Sequence, residues 1–142
     1  MTMVLASRQI METVRDMVAA LPGVSGAQLG EPASIGYTLY GFVLLENDDY
    51  VQLSVGPNGR FTDAMQLKAT LAYRTGGDVE TAEASLAEAK DALKMAFPIG
   101  LQIENGKVTS FSVFSIPYME RTASEYREYP FLITITQISQ NT

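Results

Sequence analysis

The sequence predicts an α+β fold, with a mostly antiparallel sheet and two main helices packed on one face. Three observations predict it. Apolar residues recur at helical spacing in two stretches, 10–21 and 79–97. Other stretches alternate apolar and polar residues at strand spacing, around Val51–Val55, Leu67–Tyr73 and Phe131–Ile135. The order is helix, strands, helix, strands, which segregates the helices from a sheet built by hairpins. A chain of 142 residues suits one domain, 1–142. It has no linker, repeat or low-complexity tract. At this length roughly two thirds of the unfolded surface is buried, enough for a core without staples.

The first helix carries Ile10, Met11, Val14, Met17, Val18 and Leu21 on one face. Arg8, Gln9, Glu12, Arg15 and Asp16 occupy the other. Ser7 is its candidate cap, with an earlier start at Thr2 open beside it, and Pro22-Gly23 is its stop. Val24–Leu29 is weakly strand-like and ends at Gly30-Glu31-Pro32. Tyr37–Leu45 is apolar on both faces and reads as an interior strand or an interface strand. Within it, Gly41 marks a bulge or a close backbone approach. Glu46-Asn47-Asp48-Asp49 reads as a turn into a strand carrying Val51, Leu53 and Val55. Gly56-Pro57-Asn58-Gly59 turns the chain again before the half-buried strand Leu67–Arg74.

Asp78 is placed to cap the second helix, Val79–Phe97, whose stripe is Val79, Ala82, Leu86, Ala89, Leu93 and Phe97. Six alanines support this helix, and acidic residues lie early and lysines late, matching its dipole. Pro98 ends it. Asn105-Gly106 then predicts a type I′ hairpin between Leu101–Glu104 and a strand running to Ile116. In Val108–Ile116, Phe111 and Val113 face one way and Phe114 and Ile116 the other, so cover is expected on both sides. Phe131–Ile138 alternates and closes the β region.

Composition excludes much chemistry. The chain has no Cys, His or Trp. No Ser-His or Cys-His nucleophile can form within one chain. No His or Cys metal site exists, which disfavours zinc, copper and iron–sulfur centres. No catalytic residue, metal ligand or cofactor site is expected, and the chain does not read as an enzyme. A net charge of −6 opposes tight contact with nucleic acid. No apolar run reaches the ~20 residues of a membrane helix. Met1–Ala6 is too short for a signal peptide, and the chain reads as cytoplasmic.

Several motifs have ordinary explanations. Asn47-Asp48-Asp49 lacks the alternation and distal Glu of a calcium loop. Gly56-Pro57-Asn58-Gly59 lacks the Walker lysine. Gly76-Gly77-Asp78 is a helix entry. Tyr37, Tyr40 and Tyr73 are the best candidates for lining a ligand cavity, and they serve equally well as core. The segment Pro117–Pro130 is the exception. It sets three tyrosines, two arginines and three glutamates between two strands. Tyr and Arg are enriched at interfaces, and a two-residue turn would have joined the strands. Tyr126 and Arg127 are the leading interface candidates, followed by Tyr118, Arg121 and Tyr129. An ordinary amphipathic loop remains open beside that reading.

The chain as a whole resembles the tail terminator, or tail-completion, proteins of long-tailed bacteriophages. The resemblance is carried by an amphipathic helix ending in Leu21-Pro22-Gly23-Val24, a β region, one central helix, a hairpin and the closing strand Phe131–Ile138. It implies a small α/β sandwich that forms a hexameric ring, caps the tail tube and stops its polymerisation. It implies a tail-tube protein and a head-completion or connector protein as partners. DNA would pass through the ring without specific binding. The location would be the tail or neck of a virion, and the host cytoplasm during assembly. Two alternatives stand beside it. One is another neck, head-completion or tail-tube assembly protein; a tube subunit needs a long exposed hairpin, and Asn105-Gly106 looks too tight for one. The other is a small-ligand-binding α+β domain.

Overall fold

The computed structural model describes residues 5–54, 59–113 and 126–138. Two helices, α1 (Ser7–Ala19) and α2 (Val79–Ala96), lie against a six-stranded sheet. Its strands are β1 (Ala27–Leu29), β2 (Tyr40–Gln52), β3 (Phe61–Arg74), β4 (Gln102–Ile103), β5 (Gly106–Val113) and β6 (Tyr126–Ile138). They are ordered β1-β2-β3-β6-β5-β4. Only β1 is parallel to its neighbour; every other pairing is antiparallel. This is the expected α+β architecture.

Alternation along the two central strands fixes the core. Met65, Leu67, Ala69, Leu71 and Tyr73 of β3 are buried on one face, and Phe131, Ile133 and Ile135 of β6 lie beside them. Both helices cover this face. From α1 come Ile10, Val14 and Val18; from α2 come Ala82, Leu86, Ala89 and Leu93, with Phe97 just beyond it. Val79 lies outside the stripe, largely exposed at the helix start. Phe97 stacks on Phe111 with ring centroids 6.0 Å apart, and Phe111 meets Phe131 at 5.8 Å. Such aromatic pairs add about 0.5–1.5 kcal/mol beyond burial.

Close approach of α1 depends on a missing side chain. A Cβ on Gly41 would lie 2.5 Å from Val18 Cγ1. A bulge is therefore not what Gly41 provides; the bulge of β2 falls later, between Leu45 and Asn47. At the far side of the sheet, a Cβ on Gly106 would lie 2.7 Å from Ile135 Cγ2 and 3.4 Å from Ile10 Cδ1. The helix thus runs across the sheet, from Val18 over β2 to Ile10 over β5.

Several boundaries differ from the sequence reading. Glu46-Asn47-Asp48-Asp49 is not a turn. Pairing with β3 continues through it to Gln52↔Phe61, with one bulge absorbing the polar run. β3 accordingly starts at Phe61 rather than Leu67. The β4–β5 hairpin exists, but its two-residue loop is Glu104-Asn105, since Ile103 pairs with Gly106. Glu104 takes the positive φ of 54°. Gly106 is inside the strand, where packing demands it. Ser7 does not cap α1. The backbone N–H of Ala6 donates to Gln137 Oε1 at 2.8 Å, and Gln137 Nε2 donates to Ser7 Oγ at 3.3 Å. Asp78 caps α2 as expected, accepting from the Thr81 N–H at 3.1 Å and its hydroxyl at 2.6 Å. These bonds hold the Asp78 carboxyl below its usual range. Phe114 and Ile116, the second face expected for β5, lie outside the described residues.

Leu93→Ala should cost about 2–5 kcal/mol, because the side chain is fully buried and the site is built of sheet and helix on all sides. Gly41→Ala should cost about 1–3 kcal/mol through overpacking against Val18. Denaturant midpoints with unchanged slopes would measure both. A loss under about 0.5 kcal/mol at Leu93 would mean that α2 is not held by this stripe.

Candidate interaction surfaces

Bulging at Glu46 lets β2 run past its short neighbour β1, which pairs only Gly41, Phe42 and Val43. Among the described residues, nothing pairs with the outer edge of β2 from Leu45 to Gln52. This outer half of the β2–β3 hairpin is exposed on both faces. Tyr50 is 50% exposed on the helical face, stacking on Phe61 at 5.7 Å. On the opposite face, Val51 stands in register with Thr62 and, beyond it, Ile138. Val51, Leu53 and Ile138 are all largely exposed. The edge also carries three acids, Glu46, Asp48 and Asp49, and its bulge. Charge and bulge together guard an open strand against unselective pairing.

Beneath this edge lies a polar cluster at core positions. Asp63 is 2% exposed, opposite Tyr50 on one side and Gln137 on the other. Gln137 Nε2 approaches Asp63 Oδ2 at 3.4 Å and Met65 Sδ at 3.3 Å. Asp63 Oδ1 is buried with no donor. Burial first, then a hydrogen bond with Asp48 and the charges of Asp48 and Asp49, push the Asp63 carboxyl up to about 6. The signal was present in the sequence. Continuing the alternation of Leu67–Tyr73 backwards puts Asp63 on the apolar face, but the assumed turn structure before Leu67 hid it.

The interface candidates of Pro117–Pro130 separate. Tyr118 and Arg121 lie outside the described residues. Tyr126, Arg127 and Tyr129 belong to β6, which starts before Phe131 and pairs with the end of β3. All three are half-buried. Arg127 is tied into the fold: its Nε donates to Glu83 Oε2 at 3.2 Å, and the Tyr73 hydroxyl donates to the same oxygen at 2.5 Å. This node locks α2 to β3 and β6. Tyr129 packs against the core, and burial pushes its phenol up, with Lys90 opposing and Asp91 adding. Tyr126 lines a cleft with Phe42, Glu128 and the 31–35 connection.

The three tyrosines considered for a ligand cavity do not converge. Tyr37 lies under the Arg74 guanidinium at 5.7 Å, Tyr40 donates to Gln28 Oε1 at 3.0 Å, and Tyr73 serves Glu83. The clefts beside Tyr126 and Tyr37 hold about 190 and 180 Å³. Small-molecule sites usually span ~300–1,000 Å³. Among the described residues no group of three or more acidic side chains is arranged to hold a metal ion. Among the described residues no helix is long and apolar enough to cross a membrane.

No protein family and no curated protein matches the sequence. Among solved structures, the chain is similar to a component of the virion of a native gene transfer agent particle. The two are 15% identical, the match covers 95% of each chain, and the TM-score is 0.42. A second solved structure, which carries no descriptive name, is 17% identical over 96% of this chain and 91% of its own, with a TM-score of 0.35. Both scores are low, and the functional reading rests on the geometry of this chain.

Because Arg127 is a fold contact, replacing Tyr126 and Arg127 by Ala will not leave stability untouched. Arg127→Ala should cost about 1 kcal/mol, a modest figure because Glu83 is partly exposed. Combined with Glu83→Ala, the losses should be less than additive. A double-mutant cycle from urea melts checks this, and strict additivity would show that the pair is not coupled.

Proposed function

We propose that this chain is a structural protein of a phage-like virion, acting as a tail terminator. Copies would form a ring on the end of the tail tube, occupy its growing face and offer the head a joining surface. The observation that carries the reading is the outer β2–β3 hairpin. It presents Tyr50, Val51 and Leu53 beside an open edge, with more apolar surface than its own fold covers. An edge on one side of a sheet favours head-to-tail association, which closes into a ring when the rotation permits. Six copies are what the family resemblance implies. The expected partners are a tail-tube protein and a head-completion or connector protein. An acidic chain gives passing DNA little to bind.

The same hairpin favours a second reading, a tail-tube subunit. Such a protein needs a long hairpin to stack rings, and β2–β3 supplies strands of 13 and 14 residues. The two readings differ in what the protein does alone. A terminator binds tube ends and does not polymerise; a tube subunit polymerises.

Negative-stain images and sedimentation of the purified protein, with and without tail tubes, test both. The expected result is rings, alone or on tube ends, and no tubes without added tube protein. Growth of long tubes from this protein alone would replace the first reading with the second. A monomer that never meets a tube end would end both. Tyr50→Ala with Leu53→Ser should weaken association by more than ~1 kcal/mol if either side chain anchors the contact. Unchanged assembly by that variant would move the interface away from the hairpin.

A further inference from the structure

We propose that Asp63 and Asp48 hold one proton between them where the β2–β3 hairpin leaves the sheet, and that its release loosens the outer half of the hairpin. Asp63 occupies a core position, and its Oδ1 has no donor although it is sealed from water. A buried carboxylate oxygen left unpaired is costly. Asp48 is its diagonal neighbour on the same face, because Tyr50 pairs with Asp63 and Asp48 pairs with Met65. A hydrogen bond with Asp48 is among the causes, after burial, that raise the Asp63 carboxyl. A proton on Asp63 Oδ1, donated to Asp48, gives the orphan oxygen a role. It also removes one of two facing charges.

The surroundings supply no alternative counter-charge. From β2 come Asp48 and Asp49, both negative, with Tyr50 directly opposite. From β6 comes Gln137, which is neutral, and from α1 comes Ser7, bonded to Gln137. Among the described residues no lysine or arginine forms an ion pair with Asp63. When the proton leaves for solvent, two carboxylates face each other under an edge strand that only β3 holds. Repulsion then acts on β2 residues that, among the described residues, pair with β3 alone, whereas β3 at this level is also paired with β6. Among the described residues, the pairing of β3 with β6 ends at Thr62↔Ile138.

The sign follows from the shift. The Asp63 carboxyl titrates at about 6 in the fold, against its ordinary 3.8. Between those values the folded chain binds more protons than the unfolded one, so stability falls as pH rises through the window. It is level below it and level again above it. At neutral pH the hairpin is in its looser form, and acid tightens it. This device is independent of the virion reading and holds for the isolated protein.

Carboxyl ¹³C titration of the full chain, with amide exchange from pH 4 to pH 7.5, tests the proposal. Asp63 is expected to titrate near 6. Protection factors for 48–52 and 61–65 should drop about tenfold as it ionises, while those for Leu67–Tyr73 hold. Asp63→Asn, whose amide mimics the protonated acid, should abolish the drop. If that variant does not fold, Asp48→Asn on the exposed edge serves instead. It removes a charge and keeps an acceptor, so the Asp63 titration should move down. Titration of Asp63 at the ordinary value, an unmoved titration in Asp48→Asn, or an equal loss of protection across the whole sheet would each overturn the proposal.

Discussion

The alternation of β3 is the constraint on which the rest depends. From Asp63 to Tyr73 every odd residue points to the helical face, and β6 matches it pair by pair, from Gln137 to Arg127. Period-two patterning leaves no freedom of register, since a one-residue slip would turn the whole apolar row to the other face. With that face fixed, both helices must cover it. α1 can do so only by lying close over β2, where Gly41 admits Val18. α2 reaches the other end of the row through Leu86, Leu93 and Phe97, and the Glu83 node locks its start to Tyr73 and Arg127. The sheet therefore determines where the helices go, and their own propensities determine only that they are helices.

Period explains which parts were legible in the sequence. The helix Val79–Ala96 and the apolar rows of β3 and β6 are long and strongly periodic, and they appear where expected. Short polar runs misled. Glu46-Asn47-Asp48-Asp49 has turn chemistry, yet β3 offers a partner strand, and a single bulge absorbs the run. Local preference lost to tertiary pairing. Asn105-Gly106 correctly marked a hairpin, but its loop lies one residue earlier. Gly106 is needed inside the strand because Ile135 and Ile10 leave no room for a Cβ. Arg127 looked like a free interface cation because its partner, Glu83, is 44 residues away. No local pattern encodes that contact.

Candidate surface features were less legible for the same reason. Tyr126, Arg127 and Tyr129 drew attention by residue type, and pairing with β3 turned them into half-buried strand residues. Tyr50, Val51 and Leu53 drew none. Their exposure is a matter of what fails to cover them: β1 stops after three residues, and α1 crosses the sheet elsewhere. Exposure of this kind is a property of the assembled sheet.

The same rigid alternation that builds the core also creates its weak point. Once Met65 and Ile135 are committed to the helical face, Asp63, two residues before Met65, and Gln137, two residues after Ile135, must share it. Gln137 is satisfied there. It accepts from the Ala6 N–H and donates to Ser7, and so ends α1 in place of a side-chain cap. Asp63 is satisfied only in part, since the amide of Gln137 serves one oxygen and leaves the other. A leucine at position 63 would pack without that cost. The polar pair divides the sheet into a region backed by helices and a hairpin that stands free of them. The buried row ends at Asp63, with the exposed Tyr50 directly opposite it, while the guarding acids Glu46, Asp48 and Asp49 stand on the open edge of β2 alongside the last core residues of β3.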